Sequence, residues 1–179
     1  MPVNRTYSEW VLLFERFGNG DDTVFDEMGA SEFTMDAGTA QRFCSRAEEA
    51  YKKRKQNWLD KFQRSFGLQK LTRTDDFGML LRDGKQNLLP LVKFVASNGL
   101  PEALRKTLHD DLSSTIAEIR RSLKDNIMKS RDRNRNDTEK MLMMVGTLEL
   151  IAPTPQRSAT TGNACGNALT PATGRKIIF

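Results

Sequence analysis

Seven aliphatic residues, Leu104, Leu108, Leu112, Ile116, Ile119, Leu123 and Ile127, recur at intervals of 4, 4, 4, 3, 4 and 4. An α-helix turns once in about 3.6 residues, so this spacing lines one narrow face of a single long helix. A strand alternates its side chains every second position and cannot place this set on one side. The seam therefore predicts a helix over 101–129, with Pro101 near its start, where a missing amide does no harm. It also predicts a helical neighbour to cover the seam. The C-terminal half of this helix is basic, with Arg120, Arg121, Lys124 and Lys129, which suits the negative end of a helix dipole.

A second stripe runs through Ala40, Phe43, Ala47, Ala50 or Tyr51, Trp58, Phe62 and Phe66, interrupted near Arg54. Asp36 can cap its start and Gly67 can end it, giving a helix over 37–66 that is roughly 45 Å long. It is the most basic long element, carrying Arg42, Arg46, Lys52, Lys53, Arg54, Lys55, Lys61 and Arg64 against Glu48, Glu49 and Asp60.

Around these two, shorter elements follow. Trp10, Leu13, Phe14 and Phe17 mark a helix over 6–17, with Thr6 and Glu9 spaced as a capping box and Gly18, Asn19 and Gly20 as its end. Residues 21–28 suit a short helix with Val24, Phe25 and Met28 buried. Thr74 or Asp75 caps another through Phe77, Leu80 and Leu81, ending at Gly84. Leu88, Leu89, Leu91, Val92 and Val95 then form an apolar block, with Pro90 in the first turn of a new helix. The polar run 130–137 either extends the preceding helix or breaks it. Residues 139–151 read as a last helix weakened at Gly146, with a strand over 145–151 as the alternative. Beyond it, Pro153, Pro155 and a Thr-, Ala-, Gly- and Asn-rich composition predict an extended tail. The expected fold is an all-α helical bundle of about five or six helices over 1–151, with a low-complexity tail over 152–179.

The net charge of +5 is unevenly placed. Residues 1–36 hold two bases against eight acids, residues 37–151 hold 23 bases against 15 acids, and the tail adds Arg157, Arg175 and Lys176 with no acid. The chain thus reads as an acidic head (1–36), a basic body (37–151) and a basic tail.

Several classes of function fall away. No run of 18 apolar residues exists, so no membrane-spanning helix is expected. The apolar stretch at 10–14 is too short and too acid-flanked for a signal peptide. Two distant cysteines make neither a disulfide framework nor a four-ligand zinc site. Cys44 reads as a small buried hydrophobe and Cys165 as an exposed free thiol. His109 is the only histidine and reads as a surface residue facing away from the seam. Asp21, Asp22, Asp26 and Glu27 have a spacing that would suit a divalent metal, but no nucleophile or base accompanies them. They read as helix caps, or as phosphate mimics toward the basic body of a neighbouring copy, and Asp75, Asp76, Asp110 and Asp111 read likewise as solvated acids. The glycines of 162–174 lack the Gly-Lys-Ser/Thr ending of a phosphate loop. The eight methionines, four of them between Met128 and Met144, read as core filling, with an adaptable binding surface as the alternative. No catalytic residue, metal or cofactor is expected.

What remains is binding. Arg42, Arg46, Lys52, Lys53, Arg54 and Lys55, then Arg120, Arg121, Lys124, Arg131, Arg133 and Arg135, form two basic clusters that would neutralise phosphates. Tyr51 and Trp58 flank the first, spaced to stack on bases or to turn into the core. Lys176, Ile177, Ile178 and Phe179 have the composition of a docking peptide. The expected function is a non-catalytic, cytoplasmic, nucleic-acid-associated subunit of a larger nucleoprotein complex. It would hold the phosphate backbone of DNA or RNA, and its head and tail would contact protein subunits. The alternative is a protein–protein adaptor, or a structural component of a phage-like or secretion assembly, with the seam pairing to a partner's helix. Whether the bases of 42–64 and 120–135 gather on one exposed face separates the two.

Overall fold

The computed structural model describes residues 3–29, 31–32, 36–68, 74–97, 99–129 and 134–148. It is an all-α helical bundle: α1 (Tyr7–Gly18), α2 (Val24–Gly29), α3 (Ala37–Leu68), α4 (Thr74–Val95), α5 (Glu102–Lys129) and α6 (Arg135–Gly146). Two residues at each of β1 (Val3–Asn4) and β2 (Ser31–Glu32) pair in parallel, Val3 opposite Ser31 and Asn4 opposite Glu32, a detail no sequence pattern announced.

The capping signals were read correctly at α1. The Thr6 hydroxyl accepts from the Glu9 amide, and Glu9 Oε2 accepts from the Thr6 amide at 2.7 Å, which holds the Glu9 carboxyl below its usual range. Gly20, with φ of +101°, takes the left-handed conformation that stops the chain from winding on.

Two compact units are formed, and the three long helices contribute to both. The first contains the described residues of 1–56 and 90–111. Its core is aromatic: Phe43 meets Trp10 and Phe14 edge-on with centroids 5.2 and 5.0 Å apart, and Phe17 stacks on Phe94 at 4.2 Å. Each such pair contributes about 0.5–1.5 kcal/mol beyond the burial of its area. The second unit contains the described residues of 57–89 and 112–151. There Trp58, Phe62, Phe66 and Phe77 form a ladder of successive ring contacts, with Leu112, Ile116, Ile119, Leu123 and Ile127 buried alongside Met141 and Val145.

All seven seam residues are buried within the chain itself. Pairing them with another protein, as the adaptor reading supposed, would require opening the core.

Four expectations need correction. Gly84 does not end a helix, and Pro90 does not begin one, because α4 runs through both. Gly84 is glycine for lack of space: a Cβ there would lie 2.4 Å from Phe62 Cε2, and its carbonyl accepts the Trp58 indole N–H at 3.1 Å. Pro90 removes one backbone donor from α4, at the point where the helix passes from one unit to the other. Leu89 is exposed, not core, and Phe94, one turn beyond Pro90, is fully buried instead. The last helix begins earlier than its apolar residues suggest, because the Asn134 side chain caps it by accepting from the Asp137 amide at 2.8 Å. That helix includes Val145 and Gly146, so the strand alternative fails there; residues 149–151 and the tail lie outside the described residues.

Cys44 is buried as expected, but it is disulfide-bonded. Separation along the chain says nothing of which sulfurs meet in space. Cys165 lies outside the described residues.

The crowding at Gly84 predicts opposite signs for two glycine substitutions. Gly84→Ala should lower stability by about 1–3 kcal/mol through overpacking, despite alanine's better helix propensity. Gly146 has nothing within 4 Å of a built Cβ, so Gly146→Ala should leave stability unchanged or raise it by up to about 1 kcal/mol. Urea denaturation of the two variants checks both, and a neutral Gly84→Ala would refute the packing account.

Candidate polyanion-binding surfaces

Within the first unit, the basic run of α3 divides by helical phase. Tyr51 is buried, and residues three and four positions later share its side of the helix. Arg54 and Lys55 therefore point inward, each with a side chain only 15% exposed. The Arg54 guanidinium donates to the Phe17 carbonyl at 2.9 Å and to Asp22 Oδ1 at 2.7 Å, and it lies 5.0 Å from the centroid of the Phe17 ring. Lys55 Nζ reaches Asp111 Oδ2 at 2.6 Å, and the Tyr51 hydroxyl donates to the same oxygen at 2.8 Å. Burial, then the charge of Asp111, pushes the Tyr51 phenol far above its ordinary range, so it stays a donor. Neither Arg54 nor Lys55 is available to a phosphate, contrary to the reading of 52–55 as one patch.

Lys52 and Lys53 are exposed, with Lys53 Nζ donating to Asn19 Oδ1 at 2.6 Å. Arg42 and Arg46 are exposed one turn apart, and Arg46 is 3.5 Å from Glu49. They line a cleft of about 620 Å³ with Tyr7, Gln41 and Glu49, and an adjoining cleft of about 320 Å³ contains Arg46 and Lys53 with Glu15 and Glu49. Two carboxylates among three cations make these clefts mixed in charge.

The acidic head is engaged within its own chain. Arg16 contacts Asp21 at 2.9 Å and Glu27 at 3.0 Å, and Thr23 donates to Asp21 through both its hydroxyl and its amide. The Thr23 hydroxyl and Arg16 together hold the Asp21 carboxyl down at about 2. Among the described residues no cluster of three or more His, Cys, Asp or Glu side chains is arranged to hold a metal. His109 is half-buried, not on the surface, with Nε2 buried and without a hydrogen-bond partner.

The second unit is where positive charge accumulates. Among the described residues, 57–89 and 112–148 carry 10 bases against 8 acids, whereas 3–56 and 90–111 carry 11 against 13. On α5, Arg121, Lys124 and Lys129 are exposed, with Asp125 among them, and Arg120 is half-buried. Arg135, at the start of α6, is 93% exposed and 3.0 Å from Glu139. Arg131 and Arg133 lie outside the described residues, as do Lys176, Ile177, Ile178 and Phe179. Lys61 and Arg64 line a cleft of about 300 Å³ with Trp58, Phe62 and Asp83. Met128 and Met143 are exposed at 66% and 75%, where core filling was expected, while Met141 is buried and Met144 packs against Gly78.

Glu48, one of the three acids set against the bases of α3, does not lie on the helix surface. It is 6% exposed with Oε1 buried and unpartnered, and burial raises its pKa against the opposing pull of Lys52. Its position one turn from both Cys44 and Tyr51, on the buried side of α3, is the signal the sequence carries.

Two predictions follow from this division of roles. Arg54→Ala removes a largely enclosed guanidinium packed on Phe17, and Lys55→Ala strips the ammonium from half-buried Asp111; each should lower stability by about 1–3 kcal/mol, whereas Arg42→Ala and Lys52→Ala should change it by less than about 0.5 kcal/mol. Denaturant midpoints measure all four, and equal effects would refute the inward assignment. For Glu48 the folded-state pKa lies above the unfolded one, so its carboxylate weakens the fold as pH rises through that interval. Glu48→Gln should therefore stabilise at pH 7, with the gain vanishing as pH falls below the usual glutamate range. A gain that persisted in acid would exclude titration as its cause.

In comparisons with known proteins, no family model, no curated protein and no solved structure matches this chain.

Proposed function

We propose that the protein is a non-catalytic, nucleic-acid-associated helical subunit of a larger assembly, binding phosphate backbone mainly through its second unit. The observation that carries this reading is the segregation of charge. Bases of the first unit are answered by the acids of its own head, as at Arg16 and Arg54. The excess of bases lies in the second unit, where Arg121, Lys124, Lys129 and Arg135 project from α5 and α6. Arg42, Arg46, Lys52 and Lys53 remain secondary candidates, diluted by Glu15 and Glu49. Contacts of the head and of Lys176, Ile177, Ile178 and Phe179 with other protein subunits belong to the same proposal.

No helix of the described residues is long and apolar enough to cross a membrane. A cytoplasmic setting is part of the proposal, and the disulfide at Cys44 is the observation against it, because the cytosol keeps thiols reduced. Trapping thiols by alkylation at lysis, followed by mass spectrometry, decides that point: a modified Cys44 supports the cytoplasm, and a protected one opposes it.

The main test is fluorescence anisotropy with labelled nucleic acid at two salt concentrations. About four phosphate contacts predict a loss of affinity on the order of 100-fold between roughly 50 and 200 mM salt. Combining Arg121→Gln, Lys124→Gln and Lys129→Gln should weaken binding and flatten the log–log salt slope by nearly one per contact removed. Combining Arg42→Gln, Arg46→Gln and Lys52→Gln should do less. Absence of binding at the lower salt would overturn the reading. It would favour an adaptor instead, for which the exposed Met79, Met128 and Met143 supply adaptable apolar surface.

A further inference from the structure

The second unit's aromatic and basic residues are sorted to opposite places. Its helical segments, 57–89 and 112–151, contain four aromatic residues, Trp58, Phe62, Phe66 and Phe77. All four belong to the core, with exposures of 6%, 4%, 4% and 0%. They are occupied with one another: Trp58 with Phe62 at 5.2 Å, Phe62 with Phe66 at 4.6 Å and Phe66 with Phe77 at 5.7 Å. The Trp58 indole N–H, the ladder's one polar donor, is satisfied by the Gly84 carbonyl. Trp58 and Phe62 edge the cleft that holds Lys61 and Arg64, but at 6% and 4% exposure they offer no ring face on which a base could stack.

The exposed cations, by contrast, stand on rigid helix. Arg121, Lys124 and Lys129 span roughly the last two and a half turns of α5, a rise of about 12 Å from first to last. Single strands are held by stacking of their bases on aromatic side chains, each stack contributing about 1–3 kcal/mol, with cations tracking the backbone beside them. A duplex hides its bases and offers a denser row of phosphates, one charge for each 1.7 Å or so of axis. A surface that offers fixed cations and keeps its rings inside matches the second ligand and lacks what the first needs.

We propose that the ligand of this surface is duplex nucleic acid, gripped by its phosphates without base stacking. This rests on the nucleic-acid reading above and names its ligand class. In the ordinary course of binding, Arg121, Lys124 and Lys129 replace condensed counterions on the duplex, and Asp125 among them limits the number of phosphates that approach.

The experiment compares one duplex of about 20 base pairs with each of its component strands, by anisotropy of the full chain at several salt concentrations. Tighter binding to the duplex by about tenfold or more, with a log–log slope near −0.9 per phosphate contact, supports the proposal. Equal or tighter binding to the single strands overturns it while leaving the nucleic-acid reading intact. Failure of both ligands to bind at low salt overturns the two together. The combined Arg121→Gln, Lys124→Gln and Lys129→Gln variant provides a second readout. These residues are exposed, so its helicity and denaturant midpoint should match the native chain while duplex affinity falls. A duplex affinity that survives this variant also overturns the proposal.

Discussion

Arg54 is the point on which the first unit is organised. Its guanidinium binds the last turn of α1 at the Phe17 carbonyl, the turn before α2 at Asp22, and the face of the Phe17 ring. That ring also stacks on Phe94 of α4 and makes a T-shaped contact with Phe25 of α2. One side chain of α3 thus fixes the exit of α1, the approach to α2 and the central ring of the aromatic core. At the C-terminus of α1 the Phe17 carbonyl already accepts from the Gly20 amide, and the Arg54 cation adds a second donor while facing the negative end of the dipole. Breaking this arrangement would leave the Phe17 carbonyl with the Gly20 amide as donor, Asp22 without its ion pair, and the Phe17 ring without one of its packing partners.

Lys55, the next residue on the same inward side, repeats the arrangement. With Tyr51 it encloses Asp111, so a carboxylate 17% exposed has both an ammonium and a phenol as donors. Such a group is stabilising only while every partner is present, because a buried charge left alone costs several kcal/mol. The exposed pair Arg46 and Glu49 is of a different order, since ion pairs of that kind contribute about 0–1 kcal/mol. Burial, and not the identity of the residue, decides whether an arginine or lysine here holds the fold together or remains available to a ligand.

Much of the fold was legible because helical periodicity is redundant. The seven seam positions and the Phe43 to Phe66 stripe each repeat one signal many times, so one ambiguous residue cannot mislead. Single residues with two physical uses were misread. Gly84 looked like a helix end and is a packing glycine under Phe62; Pro90 looked like a helix start and sits within α4. Tertiary crowding leaves no trace in local sequence. The four bases 52–55 differ for another reason, that adjacency in sequence is not adjacency on a surface. Successive helix residues point about 100° apart, so a buried Tyr51 already implied that Arg54 and Lys55 turn inward. That part of the site was legible and was overlooked, whereas the Asp22 and Asp111 partners, 32 and 56 residues away, were not legible at all.

The same division governs how any loss of binding must be interpreted. Reversing all four charges from Lys52 to Lys55 would place carboxylates against Asp22, Asp111 and the Phe17 carbonyl, and the first unit would be destabilised before any ligand was added. Lost affinity in that variant would then report lost structure. Bases that project from helix faces without holding the core avoid this confusion, which is why Arg121, Lys124 and Lys129 are the informative set. If their removal leaves the midpoint of unfolding in place and lowers affinity, charge at the surface is the cause. If affinity stays, the excess charge of the second unit serves solubility or a protein partner, and the exposed methionines on α4, α5 and α6 become the surface to which the next substitutions belong.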